Sequence, residues 1–289
     1  MKLSVCIITL NEEANIGRTL KSVQPLVADG QGEIIVVDSG STDRTVEIAK
    51  SYGAKVFTEP WKGFAAQKNS ALEKAQGEWI LSLDADEEVD RRLLDSLPPT
   101  IKFGAAFPSK TTLKLVSTMS GLGVEMKPNC QGYWIARKNH FLGRWVRRGG
   151  FFPDRKMRLF RHGSGRFEDR KVHEDVRVTG LTSDLPEKWG ALDHHAYPTL
   201  SGYIEHMNKY SSLGAEMEIE EGRRGFSLIN IVLRPWLTFL YNYFLRLGFL
   251  DGKEGLLLHM YHAVYVSWKY AKVWELSRTQ GFSKKSAAP

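Results

Sequence analysis

Four short apolar runs separated by three stretches of helical periodicity fill the first hundred residues, and this alternation limits the fold more than any other feature of the chain. It is the sequence form of a mostly parallel sheet covered by helices. Leu3 to Leu10 is almost uninterrupted in its apolar character, as expected of a strand buried on both faces. A helix is expected from about Glu13 to Val27, with Ile16, Leu20 and Val23 at spacings of four and three. Glu33 to Val37 reads as a second strand ending at Asp38. Gly40, Ser41 and Thr42 then make a turn in which a Ser or Thr is available to cap a helix running to about Tyr52 and stopped by Gly53. Lys55 to Thr58 is a third strand, roughly Ala65 to Ala75 a third helix ending near Gly77, and Trp79 to Leu83 a fourth strand. That strand leads into Asp84-Ala85-Asp86-Glu87-Glu88. No GxGxxG fingerprint is present, and acidic residues stand at the strand ends instead. Ligands of open α/β sheets sit beyond the carboxyl ends of the strands, so Thr9, Asn11, Asp38, Asp84 and Asp86 are expected to converge there.

The net charge of +7 is unevenly placed. Residues 1 to 100 carry 11 basic and 16 acidic side chains, residues 101 to 180 carry 17 and 6, and residues 181 to 289 carry 12 and 11. An acidic first third beside a basic middle suggests a carboxylate-built metal site facing a surface that attracts anions, whether nucleic acid, phospholipid or phosphorylated glycan. With 42% hydrophobic and 25% charged residues the chain has a globular composition, which sets collagenous and disordered classes aside. Cys6 and Cys130 belong to no CxxC pair and make no disulfide framework, which fits a reducing compartment. The Met1-Lys2 start runs into a short apolar stretch that reads as a first strand rather than a secretion signal.

Beyond residue 100 the pattern changes. Residues 101–200, with strand-like pieces at Gly132 to Ala136 and Lys156 to Phe160, are expected to form hairpins that complete the sheet, and residues 201–289 a helical extension. Residues 226 to 268 are unusually apolar, but the longest uncharged stretch, Gly255 to Trp268, falls short of the ~18 residues that suggest a membrane span. Within Arg234 to Leu247 the residues Arg234, Thr238, Asn242 and Arg246 recur every four positions as a narrow polar stripe. A helix of that pattern either packs in a core or lies in a membrane interface with Trp and Tyr at headgroup depth.

Asp84 and Asp86 are the sharpest chemical signal. Carboxylates at i and i+2 of an extended chain project to one face and can share a hard divalent cation with the diphosphate it bridges. The alternative is a solvated turn and helix cap. Asp38 either accepts the ring N–H of a pyrimidine base or closes an Asx turn, and Asp43 suits the dipole of the following helix. Between Arg144 and Arg161 seven basic side chains face only Asp154, a segment suited to a diphosphate or an acidic acceptor, or else a solubilising face. Trp134, Trp145, Phe151 and Phe152, interleaved with these charges, offer sugar-stacking surfaces or core.

Three motifs in order, LSVCIITLNEEAN from Leu3, IIVVDSGSTDRT from Ile34 and GFAAQKNSALEKAQGEWILSLDADE from Gly63, resemble the family-2 glycosyltransferases of the GT-A fold over roughly residues 1 to 95. The resemblance implies a Rossmann-like, mostly parallel sheet and a nucleotide-sugar donor. Thr9, Glu12 and Asp38 would hold base and ribose, Lys68 would lie near the diphosphate, and Asp84 with Asp86 would form the DxD motif, Asp86 binding Mg²⁺ or Mn²⁺. His194 would be a further metal ligand, with His195 beside it as the alternative. The Arg158-Leu159-Phe160 and Val172-His173-Glu174 pair, with later segments, is similar to the bacterial branch that adds a hexose, usually glucose, to the lipopolysaccharide inner core. Glu174 would then be the base that deprotonates the acceptor hydroxyl, with Asp175 as alternative, and Arg158 and His173 would contact the acceptor. These readings imply UDP-glucose as donor, a lipopolysaccharide or other lipid-linked glycan as acceptor, peripheral membrane contact and a cytoplasmic place on the inner face of the inner membrane. The rivals are transfer to a polyprenyl phosphate, a catalytically inactive sugar-binding protein, and nucleic-acid binding, which acidic strand ends would oppose by repulsion.

Overall fold

The computed structural model describes residues 2–30, 32–97, 129–168 and 175–286. These form two compact units. The first contains the described residues up to Arg137 together with Arg155–His194, and the second contains Lys138–Asp154 together with the described residues from His195 onward. Residues 138–154 therefore belong with the helical part of the chain, which differs from the expected division at residues 100 and 200.

In the first unit β1 (Leu3–Thr9), β2 (Gly32–Asp38), β3 (Lys55–Thr58) and β4 (Trp79–Asp84) are parallel and lie in the order β3-β2-β1-β4. The chain steps outward from β1 to β3 and then returns to place β4 on the other side of β1. This reversal is a topological switch point, the position at which open α/β sheets leave a crevice. The sheet continues with β8 (Asp154–Arg161), β6 (Gly132–Phe141), β12 (Leu192–Tyr197) and β5 (Glu87–Val89), β8 antiparallel to β4 and β12 antiparallel to β5. Off this path β7 (Arg144–Trp145) and β11 (Thr182–Asp184) pair with β6, the short helix α4 (Arg91–Ser96) follows β5, and a separate hairpin pairs β9 (Gly165–Glu168) with β10 (Asp175–Val178).

Strand alternation explains why these runs are apolar almost throughout. Leu3, Val5 and Ile7 of β1 share one buried cluster with Ile34 and Val36 of β2, Leu81 and Leu83 of β4, and Ile16, Leu20 and Val23 of helix α1 (Ile16–Val27). Cys6, Ile35, Val37 and Ile80 point the other way, into a second cluster with Ala71 and Leu72 of α3 (Phe64–Glu73) and Phe160 of β8. Both faces of the strands are covered, as in a parallel sheet between helices. The spacing of four and three in α1 is the stripe that meets the sheet. Helix α2 (Thr45–Ser51) departs from the expected cap, since Asp43, not Ser41 or Thr42, accepts from the Thr45 backbone N–H at 3.0 Å.

The second unit contains α5 (Leu200–Glu220) and α7 (Gly252–Ser286). Phe141, Val146, Tyr203 and Leu258 make one buried cluster, and Ala215, Ile219, Tyr270 and Val273 another. Between α5 and α7, residues 229–245 form one continuous helical segment in which α6 (Arg234–Leu240) is flanked by wider π turns at Ile229–Leu233 and Tyr241–Leu245. Asp251 is buried and accepts from the backbone N–H groups of Arg147 at 3.1 Å and Arg148 at 2.8 Å, tying the 138–154 segment to this unit.

One close approach in the first unit fixes a residue type. A Cβ on Gly77 would stand 2.6 Å from the Ser4 nitrogen and 2.7 Å from the Leu3 carbonyl carbon, backbone that is held in β1. Gly77→Ala is expected to cost about 1–3 kcal/mol, read as a lower urea midpoint at unchanged slope.

Candidate active site

The register of the parallel strands brings the expected residues to one rim. Thr9 pairs with Asp38 across β1 and β2, and Ile8 pairs with Asp84 across β1 and β4. Asp38 and Asp84 therefore end the two strands that flank β1, about 10 Å apart at the usual strand spacing.

Asp38 is buried and its carboxylate is fully used. It accepts from the Thr9 hydroxyl at 3.0 Å, from the Gly40 and Ser41 backbone N–H groups at 2.9 Å each, and from the Ser41 hydroxyl. Those four donors match the roughly four lone-pair sites of a carboxylate, so the Asx-turn reading describes what the side chain does here. The neighbouring loop is laced to the same turn. Asn11, at φ 55°, donates its N–H to Ser41 Oγ and accepts from Thr42 N–H through its side chain, each at 2.8 Å. Left-handed backbone of this kind favours Asn among non-glycine residues. Glu13 and Arg44 close the lacing, the Arg44 N–H donating to Glu13 Oε2 at 3.0 Å.

Asp84 ends β4 under two cations. Lys68 of α3 lies 2.8 Å from Oδ1, and the Arg158 guanidinium of β8 contacts Oδ2. Burial alone would raise the Asp84 carboxyl, but Arg158 first and Lys68 next hold it well below the usual carboxylate range. The guanidinium of Arg158 is in turn driven above its ordinary value by Asp84 and Glu87, against the opposing effect of burial. Lys68 and Arg158 are 4% and 5% exposed. Arg158, expected to contact an acceptor, has its guanidinium turned inward onto Asp84 and, at 2.7 Å, onto Glu87. Charge satisfaction accounts for the difference, because Glu87 is wholly buried and needs both Arg158 and Arg137, the latter at 3.1 Å.

Asp86 faces His194 Nε2 at 3.4 Å. Burial raises the Asp86 carboxyl, and the hydrogen bond and charge of His194 outweigh it, leaving Asp86 below its ordinary value. Alternation along β12 separates the tandem histidines: His194 goes to Asp86, while the His195 ring stacks on His140 at 4.9 Å within the second unit. Glu12 lies within the field of this rim. Burial raises its carboxyl, its hydrogen bond with Asn15 opposes that, and the negative charges of Asp86, Asp43 and Asp84 raise it further. A rim that adds repulsion among Glu12, Asp84 and Asp86 suits a cation shared with a diphosphate.

Asp86 and His194 form a pair suited to Mg²⁺ or Mn²⁺, an oxygen and an imidazole donor with the remaining positions left to phosphate oxygens and water. Among the described residues no group of three or more His, Cys, Asp or Glu side chains is poised for a metal.

His173 and Glu174 lie outside the described residues. Asp175 opens β10, exposed, with its Oδ1 accepting from the Val176 N–H at 2.9 Å. The basic run is largely spoken for: Arg144 pairs with Glu254, Arg155 with Asp184 and Glu187, and Arg161 with Glu78. The Trp145 ring carries Lys138 at 5.3 Å and Arg147 at 4.1 Å, and Trp134 and Phe151 pack against buried clusters, so these rings serve structure rather than an open stacking surface. Sequence reasoning missed Glu87 and Arg137 as residues that order the site. Their signal was the alternation of β5 and β6, which turns Glu87 and Val89 of β5 inward. It also missed Ser39 and Gln67, whose buried side-chain polar atoms have no hydrogen-bond partner.

Removing Arg158 leaves two carboxylates buried with too little opposing charge. Arg158→Met is expected to lose about 3–5 kcal/mol in urea unfolding. Because Asp84 is depressed in the folded state, its contribution is present above pH ~4 and lost as pH falls through its folded value. The variant should therefore show a shallower loss of stability on acidification, and its Asp84 carboxyl should titrate at higher pH by NMR.

Residues 4–112 match the family model "Glycosyl transferase family 2". The chain is 30% identical over 286 residues to a lipopolysaccharide core biosynthesis glycosyltransferase of Rhizobium meliloti, covering 95% of this chain and 93% of that protein. It is 31% identical to an uncharacterised glycosyltransferase of Rickettsia bellii, over 96% of this chain and 87% of that one. Among solved structures, a mannosyltransferase of Pyrobaculum calidifontis in complex with GDP-mannose and Mn²⁺ superposes with a TM-score of 0.53 at 15% identity, over 94% of this chain and 86% of that chain, so the two share a fold. With the GT-A sheet, the switch-point crevice and a full-length relative in agreement, the chain belongs to the family-2 glycosyltransferases.

Proposed function

We propose that this glycosyltransferase is an inverting, metal-dependent hexosyltransferase that moves glucose from UDP-glucose to a lipopolysaccharide core or other lipid-linked glycan on the cytoplasmic face of the inner membrane. The observation that carries the reading is the rim itself, where Thr9, Asp38 and Asp84 end neighbouring strands in register and Asp86 stands opposite His194. The acceptor class is drawn from the full-length Rhizobium relative and its printed role in lipopolysaccharide core biosynthesis.

In this reading Asp86 and His194 hold Mg²⁺ or Mn²⁺, which supplies Lewis-acid stabilisation of the departing diphosphate. Lys68 is the chain's own cation for the diphosphate, already fixed by Asp84. Arg158 acts through Asp84 as a positioning residue, setting its charge and direction. A pyrimidine ring N–H meets Asp38 by displacing the Ser41 hydroxyl, one of its two side-chain donors. Thr9 and Glu12 complete the nucleoside side of the rim. Glu174 takes the proton of the acceptor hydroxyl as that oxygen attacks the anomeric carbon opposite the diphosphate, with Asp175 as the neighbouring alternative and His173 beside the acceptor.

Asp86→Ala should lower Mn²⁺-dependent transfer about a hundredfold or more while the urea midpoint stays near that of the unmodified protein. A thermal-shift panel of UDP-glucose, UDP-galactose and GDP-mannose with Mn²⁺ should show the largest rise for UDP-glucose. Transfer that survives Asp86→Ala would remove the metal from this residue, and a preference for GDP-mannose would replace the donor.

A further inference from the structure

We propose that the outward side of residues 226–260 is a docking face for an anionic lipid bilayer, lying in the headgroup region of one leaflet. The function it serves, bringing the enzyme to a membrane-carried acceptor, rests on the reading above, whereas the docking itself is testable without sugar chemistry.

The helical segment of residues 229–245 is tethered at both ends by polar contacts, while Arg234 and Arg246 themselves stay exposed. The Arg234 guanidinium donates to the Tyr270 hydroxyl and lies 5.1 Å from that ring, and the Ser267 hydroxyl donates to the Ile231 carbonyl at 2.8 Å. At the other end of the stripe the Arg246 carbonyl accepts from the Gly149 N–H at 3.0 Å, and its guanidinium packs against Gly150. A water-facing helix would surround such a stripe with polar side chains. Here Ile229, Val232, Trp236, Tyr241, Phe244 and Leu245 are exposed beside Arg234 and Arg246, Leu245 being 75% exposed. Among the described residues 21 large hydrophobic side chains are exposed, and 15 of them lie between Phe226 and Met260. Concentration on this scale marks a partner surface.

The helix geometry keeps the stripe straight. An α-helix turns about 100° per residue, so a repeat of four overshoots a full circle by about 40° each time. A π turn, with i→i+5 bonding, is wider and undershoots. Alternating the two lets positions four apart stay on one line, leaving the remaining surface apolar.

Charge selects the occupant. From Gly222 to Leu250 there are four arginines and no acidic residue. Arg223 answers Glu218 of α5, and the next acid along the chain, Asp251, is buried against the Arg147 and Arg148 N–H groups. A second copy packed on the same face about a two-fold axis would set this basic segment against itself. Anionic headgroups meet the basic residues and the acyl boundary receives the apolar ones, with Trp236 and Tyr241 suited to the level between. Among the described residues no helix is long and apolar enough to cross a membrane, so the contact lies in the interface plane.

The test is co-sedimentation of the full chain with vesicles of phosphatidylcholine alone and of phosphatidylcholine with about one phosphatidylglycerol in three. Partitioning should rise at least tenfold on the anionic vesicles. The pair Ile229→Glu with Leu245→Glu should lose tenfold or more on them, with thermal unfolding and UDP release from UDP-glucose in detergent unchanged. Arg224→Glu with Lys253→Glu, which leaves the apolar side chains in place, should weaken only the anionic-vesicle binding. Equal partitioning of all variants on both vesicles overturns the proposal. So does a lipid-free dimer by light scattering that the double glutamate variant converts to monomer, which gives the face to a second copy. Vesicle binding without donor turnover keeps the docking and rejects the transferase reading; turnover without vesicle binding does the reverse.

Discussion

A carboxylate taken out of water must be met by opposite charge, and at the end of β4 that demand organises the first unit. Asp84 is held by Lys68 from α3 and Arg158 from β8. Arg158 also serves Glu87, which draws in Arg137 from β6. One chain of ion pairs thus ties a helix, two neighbouring strands and the β4–β5 turn to the point where a diphosphate would rest. Breaking any link leaves a buried charge uncompensated, which is why such networks are costly to edit and hold their geometry. Asp86, two residues on, turns to His194. The two carboxylates are therefore held differently, Asp84 by Lys68 and Arg158 and Asp86 by an imidazole.

The loops after β1 and β2 obey a different rule. Asp38, Asn11, Glu13 and Asp43 bond to backbone N–H groups in the two loops after β1 and β2. These loops have no regular partners for their N–H groups, so short polar side chains supply them. A rigid rim with few rotatable contacts loses little entropy when a ligand arrives.

The first hundred residues were legible because their periodicities are strong. Lys55–Thr58 has the bounds read from sequence, and β1, β2, β4, α1 and α3 lie within a few residues of theirs. Buried strands and a three-four helical stripe announce themselves in one dimension. The role of Arg158 did not, since its partners Asp84 and Glu87 lie more than seventy positions away and only the antiparallel pairing of β8 with β4 joins them. The basic run from Arg144 to Arg161 was misleading for the same reason: local charge counting cannot see that Glu254, Asp184, Glu187 and Glu78 return to answer it. That His194 and not His195 faces Asp86 follows from strand parity, which becomes usable only once β12 is known to be a strand.

The interruption of the first unit by residues 138–154 has a bearing on how such enzymes diversify. Because β6 and β12 carry the chain onward at residues 137 and 194, the second unit is assembled from two separate pieces of sequence. Cutting the chain after residue 194 would strip the short piece of Asp251, the carboxylate that anchors the Arg147 and Arg148 amides, and would bare Phe141 and Val146. A lineage can therefore exchange this helical half intact only by exchanging both pieces together, which a single crossover does not do.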